Sequence, residues 1–147
     1  MAIDRKSAKA ILKDGQPITG QFNNRVDLNH ISANRLKKIE IICLAGFMRI
    51  LSKNFIRKFK GKILNIHPSL LPKFKGLDTF NRVLKAKEKF TGCTVHFVDE
   101  KLDNGKVIIK KKISIKRNFN LESLKNNVQT LEYKAYSEAI RKVYRSN

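Results

Sequence analysis

Three polar side chains between residues 65 and 103 could act on a carbonyl group. Asn65 and His67 stand two residues apart in the segment KILNIH, and Asp103 lies in the polar segment DEKLDNG. Side chains alternate between the faces of a strand, so Asn65 and His67 project to the same side if this segment is a strand. An amide donor beside an imidazole can stabilise an oxyanion and move a proton, and a carboxylate can orient the imidazole. The residues alone leave a second interpretation open, namely a structural histidine at a strand end and an aspartate in an ordinary turn.

A strand, a loop and a hairpin must position these side chains. The pattern predicts a strand at 62–66, followed by a loop at 67–78 that contains two prolines and a glycine. Strands are predicted at 93–98 and 106–115, joined by a polar turn that closes with Asn-Gly, as an antiparallel hairpin at a sheet edge. Ligands of parallel α/β sheets gather at the carboxyl ends of strands, which is where Asn65 and His67 are expected.

The rest of the chain completes an α/β pattern. The apolar run at 39–47 predicts a strand that is covered on both faces, and hence a mostly parallel sheet. The other predicted elements are helices at 5–14, 28–38, 52–60, 79–89 and 121–144, an extended piece at 16–18 and a loop at 19–30. The last helix has an apolar stripe formed by Leu124, Val128, Leu131, Ala135, Ala139 and Val143.

Length, charge and cysteines set further limits. With 147 residues we expect a single domain over 1–147, and with no long apolar run or signal peptide we expect a cytoplasmic protein without a membrane partner. The net charge is +20, but Lys outnumbers Arg 23 to 9 and the lysines are scattered, which favours coding bias over a nucleic-acid partner. Binding of a polyanion stays open as the alternative. Cys43 and Cys93 lack metal-ligand spacing, so we expect reduced, buried cysteines and no metal.

Three segments occur in an order and spacing that resemble those of the folate-dependent formyltransferases. They are LAGFMRIL at 44–51, NIHPSLLP at 65–72 and GCTVHFVDEKLDNGKVI at 92–108. Within this group, HPSLLP, GLDT at 76–79 and QTLE at 129–132 look most like the phosphoribosylglycinamide formyltransferase family of purine synthesis. The resemblance implies a Rossmann-like formyltransferase fold, with an antiparallel edge hairpin and helices on both faces of the sheet.

The resemblance also implies an activity and residue roles. The reaction would transfer a formyl group from 10-formyltetrahydrofolate to the amine of glycinamide ribonucleotide, with His67 as proton donor, Asn65 at the formyl oxygen, and Asp103 raising the pKa of His67. The folate would contact a set of residues that includes Asn65 and Asp103, the others being Arg25, Met48, Arg49, Ile50, Leu51, Asp99, Glu100, Lys101 and Leu102. The ribonucleotide would contact Gln129, Thr130, Leu131 and Glu132.

The chain also departs from the family pattern. The resemblance leads us to expect an N-terminal truncation that lacks the family's first strand and its phosphate-binding loop, and Asp78 and Phe80 stand where the family has histidines. Loss of that strand would leave an open sheet edge. An incomplete reading frame, an enzyme whose sheet a partner chain completes, and a remnant that binds folate or polyanions without turnover all fit this pattern. Another folate-dependent formyltransferase or deformylase, such as a methionyl-tRNA formyltransferase-like protein, is the nearest alternative function.

Overall fold

The fold is a mixed sheet with helices. The computed structural model describes residues 8–12, 17–18, 37, 39–46, 51–59 and 62–145. The described strands are β1 (Ala8–Leu12), β2 (Pro17–Ile18), β3 (Ile39–Ala45), β4 (Lys62–His67), β5 (Phe90–Phe97) and β6 (Val107–Ser114), in the order β2-β1-β3-β4-β5-β6. The described helices are α1 (Lys53–Lys58), α2 (Thr79–Lys85) and α3 (Leu121–Arg145).

The strands that carry the candidate chemistry form where the apolar pattern predicts them. β3 and β4 are parallel, and β5 and β6 form the predicted antiparallel hairpin. Gly105 is required in the turn of this hairpin, because a Cβ atom there would lie 1.7 Å from the Phe97 carbonyl oxygen. The helix predicted at 79–89 ends earlier, at Lys85.

Two predictions about the sheet are wrong. A strand, β1, stands where residues 5–14 predict a helix, because pairing with both β2 and β3 outweighs the weak helical spacing of AKAIL. The sheet is also not mostly parallel: among the described strand pairs only β3 with β4 is parallel, since β1 and β5 both run antiparallel to their neighbours. β3 therefore has partners on both sides, and the open edge expected beside it is occupied by β1. The loop at 19–30 and the helix at 28–38 lie outside the described residues, Lys37 apart.

Apolar residues cover both faces of the sheet. On one face, Leu64 and Ile66 of β4 pack with the buried stripe of α3, in which Leu131 is only partly buried. On the other face, Ile63 of β4 packs with residues of β3 and with α1, which begins after the cap Ser52. β4 thus alternates between two cores, and Asn65 and His67 share the face of Ile63.

The two cysteines and one tyrosine lie in or beside the core. Cys93 is buried, Cys43 is partly buried, and both are free thiols. Burial raises the pKa of Cys43 to about 11 and that of Cys93 to about 12, so both are protonated at neutral pH. Tyr136 of α3 places its buried hydroxyl 2.9 Å from the Leu44 carbonyl oxygen and 3.0 Å from the Leu64 carbonyl oxygen, which joins the helix to the two parallel strands.

Replacing Tyr136 by Phe should destabilise the protein by about 1–3 kcal/mol, because the change removes the donor of a buried hydrogen bond and leaves the strand carbonyls without it. Urea unfolding followed by circular dichroism measures the difference. Tyr133→Phe is the matched control, since the Tyr133 hydroxyl accepts a bond from Gln129 on the exposed surface of the same helix. Equal losses in both variants would contradict the role given to the buried hydroxyl.

Candidate active site

The strand register brings two histidines and an asparagine onto one face of the sheet. Asn65 of β4 is the direct partner of His96 of β5, and His67 is the partner of Thr94. Side chains of directly paired residues in adjacent strands point to the same face, so all four lie together on the face opposite Leu64 and Val95. Sequence reasoning identified Asn65 and His67 but missed His96. Its only signal is a histidine at alternate spacing in the apolar strand CTVHFV.

Asp103 joins this group from the loop between β5 and β6. Its backbone has a φ of 45°, a left-handed conformation that Asp tolerates better than most residues, and its side chain turns back over the sheet. One carboxylate oxygen, Oδ2, lies 3.3 Å from Nδ1 of His67, and the other, Oδ1, lies 3.7 Å from Nε2 of His96. The exposed fractions are 8% for Asp103, 6% for His67 and 2% for His96, so the cluster is nearly shielded from water.

The loop that follows β4 supplies further contacts. The backbone N–H of Gly76 donates to Asp103 Oδ2 over 3.0 Å, and the Phe74 carbonyl oxygen lies 2.8 Å from His67 Nε2. Thr94 fixes the start of this loop, since its hydroxyl donates to the Ser69 carbonyl oxygen and accepts from the Leu71 N–H. The predicted loop therefore packs tightly against the sheet and closes the cluster.

Burial and hydrogen bonding set the charge of the pair in opposite ways. Burial raises the pKa of Asp103, but the His96 imidazole, the Gly76 N–H and the His67 imidazole lower it, and the net pKa lies below the ordinary 3.8. Burial lowers the pKa of His67 below 6.5, although the Phe74 carbonyl and the Asp103 charge raise it. Asp103 thus acts in the predicted direction on the pKa of His67, but burial outweighs it. Near neutral pH the carboxylate is ionised and the ring of His67 is neutral.

The contacts define which nitrogen of His67 carries the proton. The Phe74 carbonyl oxygen can only accept, so Nε2 of His67 donates to it, and Nδ1 beside the carboxylate is the nitrogen that takes a second proton. A neutral ring that is poised beside an ionised carboxylate can pass a proton and support a developing negative charge. This arrangement is suited to acyl or formyl transfer.

The other predicted contacts lie around this cluster or outside the described residues. Arg25 and residues 48–50 are not among the described residues, whereas Leu51 is buried just before α1. In the loop, Glu100 accepts two hydrogen bonds from Arg57 of α1, at 2.6 and 3.1 Å, and Asp99 accepts one from the Lys101 N–H. Lys101 and Leu102 are exposed.

The segment predicted to hold a ribonucleotide lies on α3, which packs against β5 and β6. Gln129 donates to the Tyr133 hydroxyl and Thr130 to the Asn126 carbonyl oxygen, while Leu131 packs against the core and Glu132 is partly buried. Asp78 precedes α2 in a left-handed conformation and accepts a bond from Asn81, and Phe80 packs against the core. These two residues therefore have local structural roles.

Two further observations concern metal binding and membrane-spanning helices. Among the described residues, no group of three His, Cys, Asp or Glu side chains is arranged to hold a metal ion. None of the helices that the structure describes combines the length and the apolar character that are needed to cross a membrane.

Comparisons with known proteins identify the family of the chain. Residues 6–140 match the family model of the formyl transferases, so the chain belongs to the formyl transferase family. It is 44% identical over 125 residues to the trifunctional purine biosynthetic protein adenosine-3 of Gallus gallus. The aligned region covers 84% of this chain and 12% of that protein. It is 41% identical over 109 residues to phosphoribosylglycinamide formyltransferase of Bacillus subtilis (strain 168), which covers 74% of this chain and 56% of that enzyme.

Solved structures give the same result. The crystal structure of phosphoribosylglycinamide formyltransferase from Anaplasma phagocytophilum superimposes with a TM-score of 0.76 and 37% identity, covering 82% of this chain and 59% of that chain. The resemblance inferred from the three motifs and the Rossmann-like formyltransferase fold are thus confirmed. The chain spans little more than half the length of the single-function relatives that it matches.

Lowering the pH should destabilise the fold through His67. Its pKa in the folded chain lies below 6.5, so the unfolded chain binds this proton first as the pH falls through that value. The free energy of unfolding should therefore fall as the pH drops from about 6.5 towards the folded-state pKa, and level off below it. Urea titrations across this range measure the slope, which should be smaller in His67→Gln. Equal slopes in both proteins would show that His67 does not contribute.

Proposed function

We propose that this chain transfers a formyl group from 10-formyltetrahydrofolate to the amine of glycinamide ribonucleotide. The observation that carries the proposal is the placement of Asn65 on the same strand face as the buried pair of His67 and Asp103, in a chain that belongs to the formyl transferase family. The Bacillus subtilis relative is named for this ribonucleotide acceptor. A folate-type co-substrate follows from the family, and its identity as the 10-formyl derivative is part of the proposal.

The proposed reaction begins with attack of the amine nitrogen on the formyl carbon. A carbon–nitrogen bond forms, the formyl oxygen becomes negatively charged, and the bond to the folate nitrogen then breaks. The amine loses one proton and the folate nitrogen gains one, so the step needs no oxidant, reductant or net acid. The chemistry is limited by the charge on the oxygen and by the movement of that proton.

Asn65 and His67 serve the developing charge. The Nε2 hydrogen of His67 donates to the Phe74 carbonyl in the structure, and an oxyanion is a stronger acceptor than a neutral carbonyl. We infer that this hydrogen turns to the formyl oxygen as charge develops. The negative charge then favours the imidazolium form, in which His67 has gained the proton that the amine releases and can donate one proton to the leaving nitrogen. Asp103 faces Nδ1, the nitrogen that takes the second proton, and its charge stabilises the imidazolium.

The binding residues follow from the same proposal. We propose that the folate lies along Arg25, 48–51 and 99–103, where the ion pair of Glu100 with Arg57 supports the loop. We propose that Gln129–Glu132 contact the ribonucleotide, with Glu132 accepting from ribose hydroxyls. Because β3 is already paired on both sides, a partner chain would contribute through the substrate phosphate site and not by adding a strand there.

Replacing His67 by Ala should lower the rate of formyl transfer by about 10²–10⁴-fold, because the change removes the general acid. The rate is measured with the 147-residue chain, 10-formyltetrahydrofolate and glycinamide ribonucleotide. Folate affinity, measured by calorimetry, should change little because the imidazole acts on developing charge. Glu138→Gln is the control, since it breaks the ion pair of Glu138 on α3 with Lys111 on β6, outside the cluster. Full turnover in His67→Ala would contradict the assignment, and no turnover in the unmodified chain would contradict an independent activity.

Replacing Asp103 by Asn should lower the pKa of His67 further, because the Asp103 charge raises it in the native chain. Proton NMR of the His67 ring should show its titration midpoint at lower pH than in the native chain. The pH optimum of transfer should move in the same direction. An unchanged titration midpoint would show that the Asp103 charge does not raise the pKa of His67.

A further inference from the structure

We propose that His96 is a positioning residue that sets the orientation of the Asn65 carboxamide, so that Asn65 contacts both the formyl oxygen and the attacking amine. The inference rests on the formyl transfer proposed above and assigns a role to a histidine outside the three motif residues. Asn65 of β4 and His96 of β5 are direct partners in the paired strands, and the proposal depends on the hydrogen bonds of their side chains.

The backbone determines the tautomer of His96. Its Nδ1 lies 2.8 Å from the carbonyl oxygen of Phe97. A carbonyl oxygen can only accept, so Nδ1 must carry a hydrogen. In a neutral ring the other nitrogen, Nε2, then has a free lone pair and acts as an acceptor.

The tautomer in turn determines which way Asn65 points. The amide nitrogen Nδ2 of Asn65 lies 3.4 Å from Nε2 of His96, where its N–H can donate. The opposite orientation would place Oδ1 against the lone pair of Nε2, with two acceptors facing one another. When Nε2 carries no hydrogen, His96 therefore favours the orientation in which Nδ2 faces the ring and Oδ1 faces away from it.

In this orientation the oxygen of the Asn65 amide is buried and accepts no hydrogen bond from the described residues. Asn65 Oδ1 has no hydrogen-bond partner among the residues that the structure describes, although it is shielded from water. An unsatisfied buried acceptor is costly, and such atoms in folded proteins call for an explanation. A donor on a bound substrate would satisfy it, and the attacking amine has N–H groups to offer.

One carboxamide can serve both atoms of the reacting centre. In the tetrahedral intermediate, the amine nitrogen and the formyl oxygen are bonded to the same carbon, as are Nδ2 and Oδ1 in the amide. The second hydrogen of Nδ2 can donate to the oxyanion while Oδ1 accepts from the amine N–H. The contact to the amine positions the nucleophile, and the contact to the oxygen strengthens as the charge develops.

Asp103 is the competing partner of His96. Its Oδ1 lies 3.7 Å from the same Nε2 atom. A hydrogen on Nε2 would be directed to this carboxylate, and the preference of the amide would reverse. Whether Nε2 of His96 carries a hydrogen therefore decides between the two orientations of the Asn65 amide, and this is the first quantity to measure.

Nitrogen-15 NMR of the imidazole rings tests the arrangement without any need for turnover. In the native chain His96 should have a protonated Nδ1 and an unprotonated Nε2, and a coupling across the hydrogen bond should link Nε2 to the Asn65 amide nitrogen. The amide resonances of Asn65 should shift in His96→Leu. A protonated Nε2 at neutral pH would overturn the proposal, whether or not the chain transfers formyl groups.

Kinetics of matched variants test the consequence. His96→Leu removes the acceptor, whereas the side-chain oxygen of His96→Gln can accept from Asn65 in place of Nε2. We expect kcat to fall at least tenfold in His96→Leu with KM little changed, and to recover in part in His96→Gln. Thr91→Val, which changes a buried polar residue on the opposite face of β5, should retain native kcat.

The outcomes separate this proposal from the proposed function. Equal losses in His96→Leu and His96→Gln, at equal thermal stability, would show a packing role and overturn the positioning role. Absence of transfer in the native chain would contradict the proposed function of the chain alone, and the NMR result would then decide the proposal by itself.

Discussion

The buried carboxylate of Asp103 is the constraint on which the site depends. A carboxylate that is shielded from water needs donors, and this one receives a hydrogen bond from Gly76 and faces His67 and His96. These groups come from the loop after β4, from β4 itself and from β5. Satisfying one charge therefore brings three separate segments to one face of the sheet. The left-handed backbone of Asp103 is the local strain that this placement requires.

The same burial has opposite effects on the two members of the pair. Burial removes water from both, but contacts with His96, Gly76 and His67 keep the pKa of Asp103 below its ordinary value. For His67, the Phe74 carbonyl and the Asp103 charge do not offset the lowering of its pKa by burial. The result is an ionised acid next to a neutral base near pH 7. A neutral imidazole with a carboxylate behind it responds strongly when negative charge appears in front of it, because little water is present to screen that charge.

The sequence predicts the parts of this site that depend on local pattern. The period of β4 places Asn65 and His67 on one side, and the turn residues of DEKLDNG indicate where Asp103 must lie. The pattern is weaker where pairing between distant segments decides. AKAIL forms a strand because it pairs with β2 and β3. The local sequence of residues 8–12 does not predict this pairing with distant segments. His96 escapes notice for a similar reason, since its importance comes from the residue opposite it in another strand.

The antiparallel direction of β5 explains why the site has its particular composition. β5 follows β4 after a long connection that contains α2, and it runs antiparallel to β4. β5 then leads into the hairpin with β6, whose loop folds back over the face that carries Asn65 and His67. This one connection supplies His96 from the strand and Asp103 from the loop, seven residues apart in sequence. The direction of β5 therefore shapes the site, because this strand pairs a histidine with Asn65 and its loop places a carboxylate beside His67.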